Sequence, residues 1–168
     1  MVPRRSLRSP AVAATPAVTA LERAKVAHTL HSYDADSSSD VGYGVAAVAA
    51  LGQDPRRVFK TLVARVDGAL TVAVVPVSGT LDLKALAAAV GGRKAAMADP
   101  ADAERATGYV VGGISPLGQR KALPTVVDVS ALDFATVMVS AGRRGLQVEL
   151  PPAELVRLTR ARTAPIGR

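Results

Sequence analysis

The 168-residue chain is 49% hydrophobic and carries 21 Lys and Arg against 14 Asp and Glu, a formal charge of +7. That length and apolar share suffice for one buried core and leave little room for a second full domain, while the basic excess attracts phosphate-rich partners through counterion release. No cysteine is present, which excludes disulfides, a protein thiol nucleophile and thiolate metal sites, and fits an intracellular, cytoplasmic protein.

The opening stretch has basic residues (Arg4, Arg5, Arg8) but no apolar core long enough for a secretory signal before Pro16, so residues 1–14 read as a disordered basic extension. Thr15-Pro16 has the form of an N-cap followed by a first helical residue, and Ala17, Ala20, Leu21 and Ala24 then mark one helical face to about Lys25. His28 to Tyr33 predicts a short strand, Asp34 to Asp40 a polar loop, and Gly44 to Gly52 a second helix. Val58 to Val66 and Ala69 to Val77 predict a hairpin around the Asp67-Gly68 turn. Leu81 to Val90 predicts a helix ended by Gly91-Gly92, and its apolar run is far too short to cross a bilayer. Lys94 to Met97 is a strand, Asp99-Pro100 caps a helix to about Ala106, and Val110 to Gly118 is a glycine-rich loop. Strands follow at Thr125 to Val129, Thr136 to Ser140 and Leu146 to Leu150, then a helix opened by Pro151-Pro152. Hairpins mixed with helices predict an α+β fold, a single domain with a mixed, largely antiparallel β-sheet surrounded by helices over residues 15–162, with 163–168 as a flexible tail.

Three features bear on chemistry. The loop Gly112-Gly113-Ile114-Ser115-Pro116-Leu117-Gly118 lets backbone N–H groups approach a carbonyl or phosphate oxygen, or else forms a tight structural turn. A nucleotide P-loop does not fit, because Gln119-Arg120 stands where Lys-Ser or Lys-Thr is required. Lys60 shares a strand face with Leu62, Ala64 and Val66, so its ammonium either lines a ligand cleft or reaches solvent from a strand edge. His28 and His31 point to opposite faces of a strand and are not expected to share a metal, and Ser78, Ser115 and Ser140 have no neighbouring His or acid and no nucleophile elbow. No metal or cofactor is expected.

Several segments together resemble the YbaK/ProX-type aminoacyl-tRNA deacylases: Thr15-Pro16-Ala17, His31-Ser32-Tyr33, Phe59-Lys60-Thr61-Leu62, Leu81-Asp82-Leu83-Lys84, Met97-Ala98-Asp99-Pro100, Thr107-Gly108-Tyr109, Gly112 to Gly118, and Val139-Ser140 with Arg144-Gly145-Leu146. The resemblance spans residues 15–160, and its most specific part is Gly113 to Gln119. It implies the fold shared with the editing domain of prolyl-tRNA synthetases, and a trans-editing enzyme that deacylates mischarged tRNA, above all Cys-tRNA(Pro). By motif position it implies that Lys60 is the essential lysine with Thr61 beside it. Substrate contacts would come from Gly112, Gly113, Ile114, Ser115 and Pro116, with Tyr33, Tyr43, Ser140 and the turn glycine Gly142 completing the pocket. The segment Ser37 to Gly42 is longer than in relatives, Gln147 stands where some carry Asp, and Ala141-Gly142 replaces a Gly-Gly pair.

With no nucleophile of its own, such a site would act by positioning and by stabilising charge on the ester carbonyl. The resemblance implies that the thiol of a cysteinyl ester attacks its own carbonyl. The expected partners are the 3′ aminoacyl-adenosine end of tRNA and prolyl-tRNA synthetase, with neither membrane nor DNA. Two alternatives are a deacylase of Ala- or Ser-charged tRNA and a non-catalytic module binding aminoacyl-adenosine or an amino acid.

Overall fold

The computed structural model describes residues 15–34 and 43–168; the readings of 1–14 and of Ser37 to Gly42 lie outside the described residues. In chain order the elements are α1 (Pro16–Arg23), β1 (Thr29–Ser32), α2 (Tyr43–Leu51), β2 (Phe59–Val66), β3 (Ala69–Pro76), α3 (Leu83–Ala89), β4 (Ala95–Met97), α4 (Pro100–Thr107), β5 (Thr125–Asp128), β6 (Val137–Arg143), β7 (Leu146–Leu150), α5 (Pro152–Thr159) and β8 (Arg162–Ala164). A 3-10 turn at Val129–Asp133 follows β5.

Three helix starts are set by side-chain caps; those at Thr15 and Asp99 are legible in the sequence, whereas the helix expected from Leu81 begins at Leu83 because Asp82 caps it. Thr15 Oγ1 accepts from Val18 N (3.2 Å), Asp82 from Ala85 N (3.0 Å) and Asp99 from Ala101 N (2.9 Å), each satisfying an N–H that the first helical turn leaves without a partner. Pro16 and Pro100 occupy first-turn positions where no N–H is needed. Asp67 (φ +49°) and Gly68 (φ +88°) turn β2 back into β3, which pair along their full length from Phe59↔Pro76 to Val66↔Ala69.

The strands form two sheets rather than one. An antiparallel sheet has the order β1-β7-β6, and a five-stranded sheet has the order β4-β2-β3-β5-β8, antiparallel through β4, β2 and β3 and parallel through β3, β5 and β8. A bridge between Val58 and Met138 joins them. The main core takes Val72 and Val74 from one face of β3 and Val139, Leu146 and Val148 from the smaller sheet, together with Leu21 of α1 and Leu155 of α5. The alternate residues of β3, Ala73 and Val75, face a second cluster with Leu86 of α3 and Ile166. Burial on both faces explains why β3 reads as a continuous apolar run.

The flexible tail expected at 163–168 is corrected by β8, which pairs in parallel with β5. Ile166 is fully buried, the Asp128 carboxylate accepts from Ile166 N (2.9 Å) and Gly167 N (2.8 Å), and Arg168 exchanges backbone hydrogen bonds with Thr80. One buried Ile contributes roughly 2 kcal/mol. Its partners lie some 40 to 90 residues back in the chain, so a local reading has nothing to register.

The smaller sheet is tied to the α2–β2 connection through Glu149. Its carboxylate accepts from Thr136 Oγ1, from His31 Nε2 (2.9 Å) and from Arg57 Nη2 (2.9 Å). The Thr136 hydroxyl, with His31 and Arg57, outweighs burial and holds the carboxyl down at about 2. A depressed acid contributes stability that is complete above its unfolded value, near 4.3, and disappears as pH falls through the folded value. The stability difference between wild type and Glu149→Gln in urea titrations should therefore shrink by on the order of 2 kcal/mol between pH 6 and pH 2. A difference independent of pH would overturn the assignment.

Candidate functional site

β4 pairs only with Ala64 to Val66, and β6 reaches that side of the strand only at the Val58–Met138 bridge, so Lys60 to Leu62 between them have no paired strand there. A cavity of about 410 Å³ opens there. Phe59, Lys60, Thr61, Leu62 and Val63 all border it. Alternating side chains on one sheet face cannot do that, so the cavity meets the open edge of the strand. The remaining walls come from the start of α2 at Tyr43, from Met97 and Pro100 at the β4–α4 junction, from Gly112 and Ile114 of the glycine loop, and from Ser140 and Gln147 on paired positions of β6 and β7.

Lys60 is half-buried, and its side chain makes no hydrogen bond or ion pair among the described residues. It stands at the edge and lines the cleft, so the two alternatives read from sequence describe one position. Thr61 Oγ1 and Gln147 Oε1 are the buried side-chain polar atoms without a partner among the described residues, and both belong to this wall. An orphaned buried polar atom costs about 1–3 kcal/mol and calls for an explanation. Gln147 was not among the residues expected in the site. Its signal was a polar residue flanked by Leu146 and Val148 that nonetheless is 6% exposed, and that burial is set by tertiary packing.

The glycine loop divides into a part that borders the cavity and a part that supports it. Gly112 (φ +90°) leaves room for the Tyr43 ring, which a Cβ there would meet at 2.6 Å. Neither Gly112 nor Ile114 uses its N–H in a hydrogen bond among the described residues. Gly113 does not line the cavity. Its N–H donates to Val110 O (2.9 Å), and a Cβ on it would lie 2.7 Å from the Arg143 backbone, so it seats the loop on the β6–β7 hairpin. Ser115 is fully buried, with Oγ accepting from Leu117 N (3.2 Å), and Pro116 is buried; neither borders the cavity. Tyr109, also buried, donates its hydroxyl to Leu117 O (2.6 Å), and burial raises its pKa.

Among the other expected residues, Tyr43 and Ser140 border the cavity, and Ser140 Oγ accepts from Gly142 N (3.2 Å). Gly142 (φ +107°) sits in the irregular stretch of β6 between Ser140 and Arg143, packed against Tyr109 and Thr15 outside the cavity. Tyr33 also lies outside it, its N–H donating to Gly145 O (2.9 Å). The structure thus brings together Lys60, Thr61, Tyr43, Gly112, Ile114 and Ser140 around the cavity, and leaves Tyr33, Gly113, Ser115, Pro116 and Gly142 outside its lining. Among the described residues no group of three or more His, Asp or Glu is placed to hold a metal ion. No helix among them is long and apolar enough to cross a membrane. The arrangement offers a cation, free backbone donors and buried polar atoms in a small, mostly apolar recess.

The family model of the aminoacyl-tRNA editing domain matches residues 42–158. EbsC of Enterococcus faecalis, provisionally named a Cys-tRNA(Pro)/Cys-tRNA(Cys) deacylase, is 43% identical over 118 residues, covering 69% of this chain and 71% of that protein. YwhH of Bacillus subtilis, an uncharacterised protein, is 29% identical over 109 residues, 65% of this chain and 69% of its own. A crystal structure described provisionally as a trans-editing enzyme for prolyl-tRNA synthetase superposes with a TM-score of 0.80 at 24% identity, covering 96% of this chain and 99% of that one, a likeness of fold.

Proposed function

This chain belongs to the aminoacyl-tRNA editing domain family, and from that premise we propose that it is a trans-editing deacylase that removes a wrongly attached amino acid, foremost cysteine from tRNA(Pro). One observation carries the reading. The unpaired Lys60 and the two orphaned polar atoms, Thr61 Oγ1 and Gln147 Oε1, converge on a single small cavity beside the free N–H groups of Gly112 and Ile114. Those groups suit an ester whose carbonyl oxygen gains charge as it is attacked.

In the cysteinyl case the reaction needs no nucleophile from the protein. The substrate thiol loses its proton, its sulfur bonds to the carbonyl carbon, and the ester C–O bond breaks. The ribose oxygen takes up a proton, and a cyclic thiolactone leaves and hydrolyses to free cysteine. Lys60 and the loop N–H groups stabilise the oxyanion, and the walls exclude larger side chains by clash, which is easier than rejecting smaller ones at about 1–3 kcal/mol per methylene.

The described residues of the recess suit the amino-acid end of the substrate, so we assign tRNA choice to prolyl-tRNA synthetase as the delivering partner and place the work in the cytoplasm, where tRNA is charged. The test is a set of tRNA(Pro) samples charged with Cys, Ala, Ser or Pro and incubated with the purified chain. Release of free tRNA from the Cys sample well above spontaneous hydrolysis, with Pro-tRNA spared, is the expected result. No acceleration on any of the four would overturn the enzyme reading in favour of a binding module.

A further inference from the structure

The hairpin between β6 and β7 places Arg144 at the rim of the cavity, and its guanidinium is held from two sides. Nε donates to Val111 O (2.9 Å), and Cζ lies 4.7 Å from the centre of the Tyr43 ring. Val111 and Tyr43 both line the cavity, so the side chain bridges two of its walls. The terminal nitrogens, Nη1 and Nη2, make no hydrogen bond among the described residues, and no carboxylate among them pairs with the group. Other arginines are engaged differently: Arg57 spends both terminal nitrogens on Gln53, Thr136 and Glu149, and Arg65 spends its own on Gly68 and Asp102. Arg144 is thus an exposed two-pronged donor, fixed in direction and unspent, at the mouth of the site. A fork of this kind matches two oxygens of a phosphate, and because its orientation is already set, little rotamer entropy is lost when an anion arrives.

What anion it meets follows from the substrate class, and this step rests on the deacylase reading above. In an aminoacyl ester the carboxylate is consumed by the bond to ribose and the α-amine is cationic, so the one anion of the terminal nucleotide is its 5′ phosphate. We propose that Arg144 is the phosphate-binding residue of the site, taking the phosphodiester that joins the terminal adenosine to the preceding nucleotide while the ester enters the recess beside Lys60. The division of charge is then spatial. Lys60 serves the carbonyl inside, and Arg144 holds the backbone outside.

Two small esters differing by one group isolate this contact: 3′-O-cysteinyl-adenosine and the same ester carrying a 5′ monophosphate. The wild-type chain should favour the phosphorylated ester roughly 10-fold in kcat/KM, chiefly through KM, the low end of what a hydrogen-bonded charge contributes at an exposed position. In Arg144→Ala that preference should vanish, and in Arg144→Lys, which keeps the charge without the fork, it should recover in part. With mischarged tRNA as substrate, the slope of log kcat/KM against log salt should fall in magnitude by about 0.7 in Arg144→Ala. Equal rates of the wild type on the two esters, or an undiminished preference in Arg144→Ala, would overturn the assignment while leaving the deacylase reading intact. Hydrolysis of neither ester nor of mischarged tRNA would sink both.

Discussion

Replacing Lys60 with Ala should lower kcat/KM on Cys-tRNA(Pro) at least about 100-fold, the scale on which loss of one preorganised oxyanion partner is felt. The melting temperature should hardly move. The Lys60 side chain makes no hydrogen bond or ion pair among the described residues, so its truncation removes only the packing of a half-buried stem beside a cavity. A surface-like substitution of this sort changes stability by roughly 0.5 kcal/mol or less. Lys60→Met, which keeps most of the stem and loses the charge, should be as inactive as Lys60→Ala, because the charge and not the packing is at stake. Turnover within a fewfold of wild type in both variants would remove Lys60 from the chemistry. Inactivity accompanied by a large drop in stability would return it to a structural role.

The second large effect is expected in the substrate. Cys-tRNA(Pro) should be cleaved at least about 100-fold faster than Ser-tRNA(Pro), although thiol and hydroxyl differ little in size. The reason is electronic: an ordinary thiol with a pKa near 8.5 is a few per cent thiolate at pH 7 and intrinsically nucleophilic, whereas a hydroxyl is essentially un-ionised. The rate on the cysteinyl ester should accordingly climb as pH rises toward 8.5. The serine and alanine esters share the α-amine but have no thiol, so they should lack the additional rise that thiolate formation gives the cysteinyl ester. Equal rates on the Cys and Ser esters would rule out attack by the substrate thiol. Selectivity would then have to come from cavity shape alone, where one methylene is worth only about 1–3 kcal/mol.

A cavity built this way leaves the protein little to do beyond holding and solvating the reacting ester, which is consistent with the walls it has. Six of the residues expected from motif position meet there, and five do not. The five share a physical character: Gly113 seats the loop on the hairpin, Ser115 and Pro116 are buried within the loop, Gly142 sits in the irregular stretch of that hairpin, and the Tyr33 N–H donates to Gly145 O at its turn. Motif position identifies a segment as a unit. It does not separate residues that border a ligand from those that hold the border in place.

Where the chemistry is local, the sequence by itself was decisive. The capping residues Thr15 and Asp99 and the Asp67-Gly68 turn each state their structure within a few residues, because the partners are that close. Lys60 too was legible as a misplaced cation on an apolar strand, and the absence of cysteine excluded protein-thiol chemistry outright. Only the tertiary structure decided matters of long-range pairing. It split the strands into two sheets, drew residues 162–164 into the larger one beside β5, and ended β4 early enough to open the strand edge at Lys60. It also buried Gln147 in the cavity wall and set Arg144 across Tyr43 and Val111. Each of those outcomes depends on which distant surfaces meet, and that is settled by the packing of the whole core, because no residue's immediate neighbours carry the information.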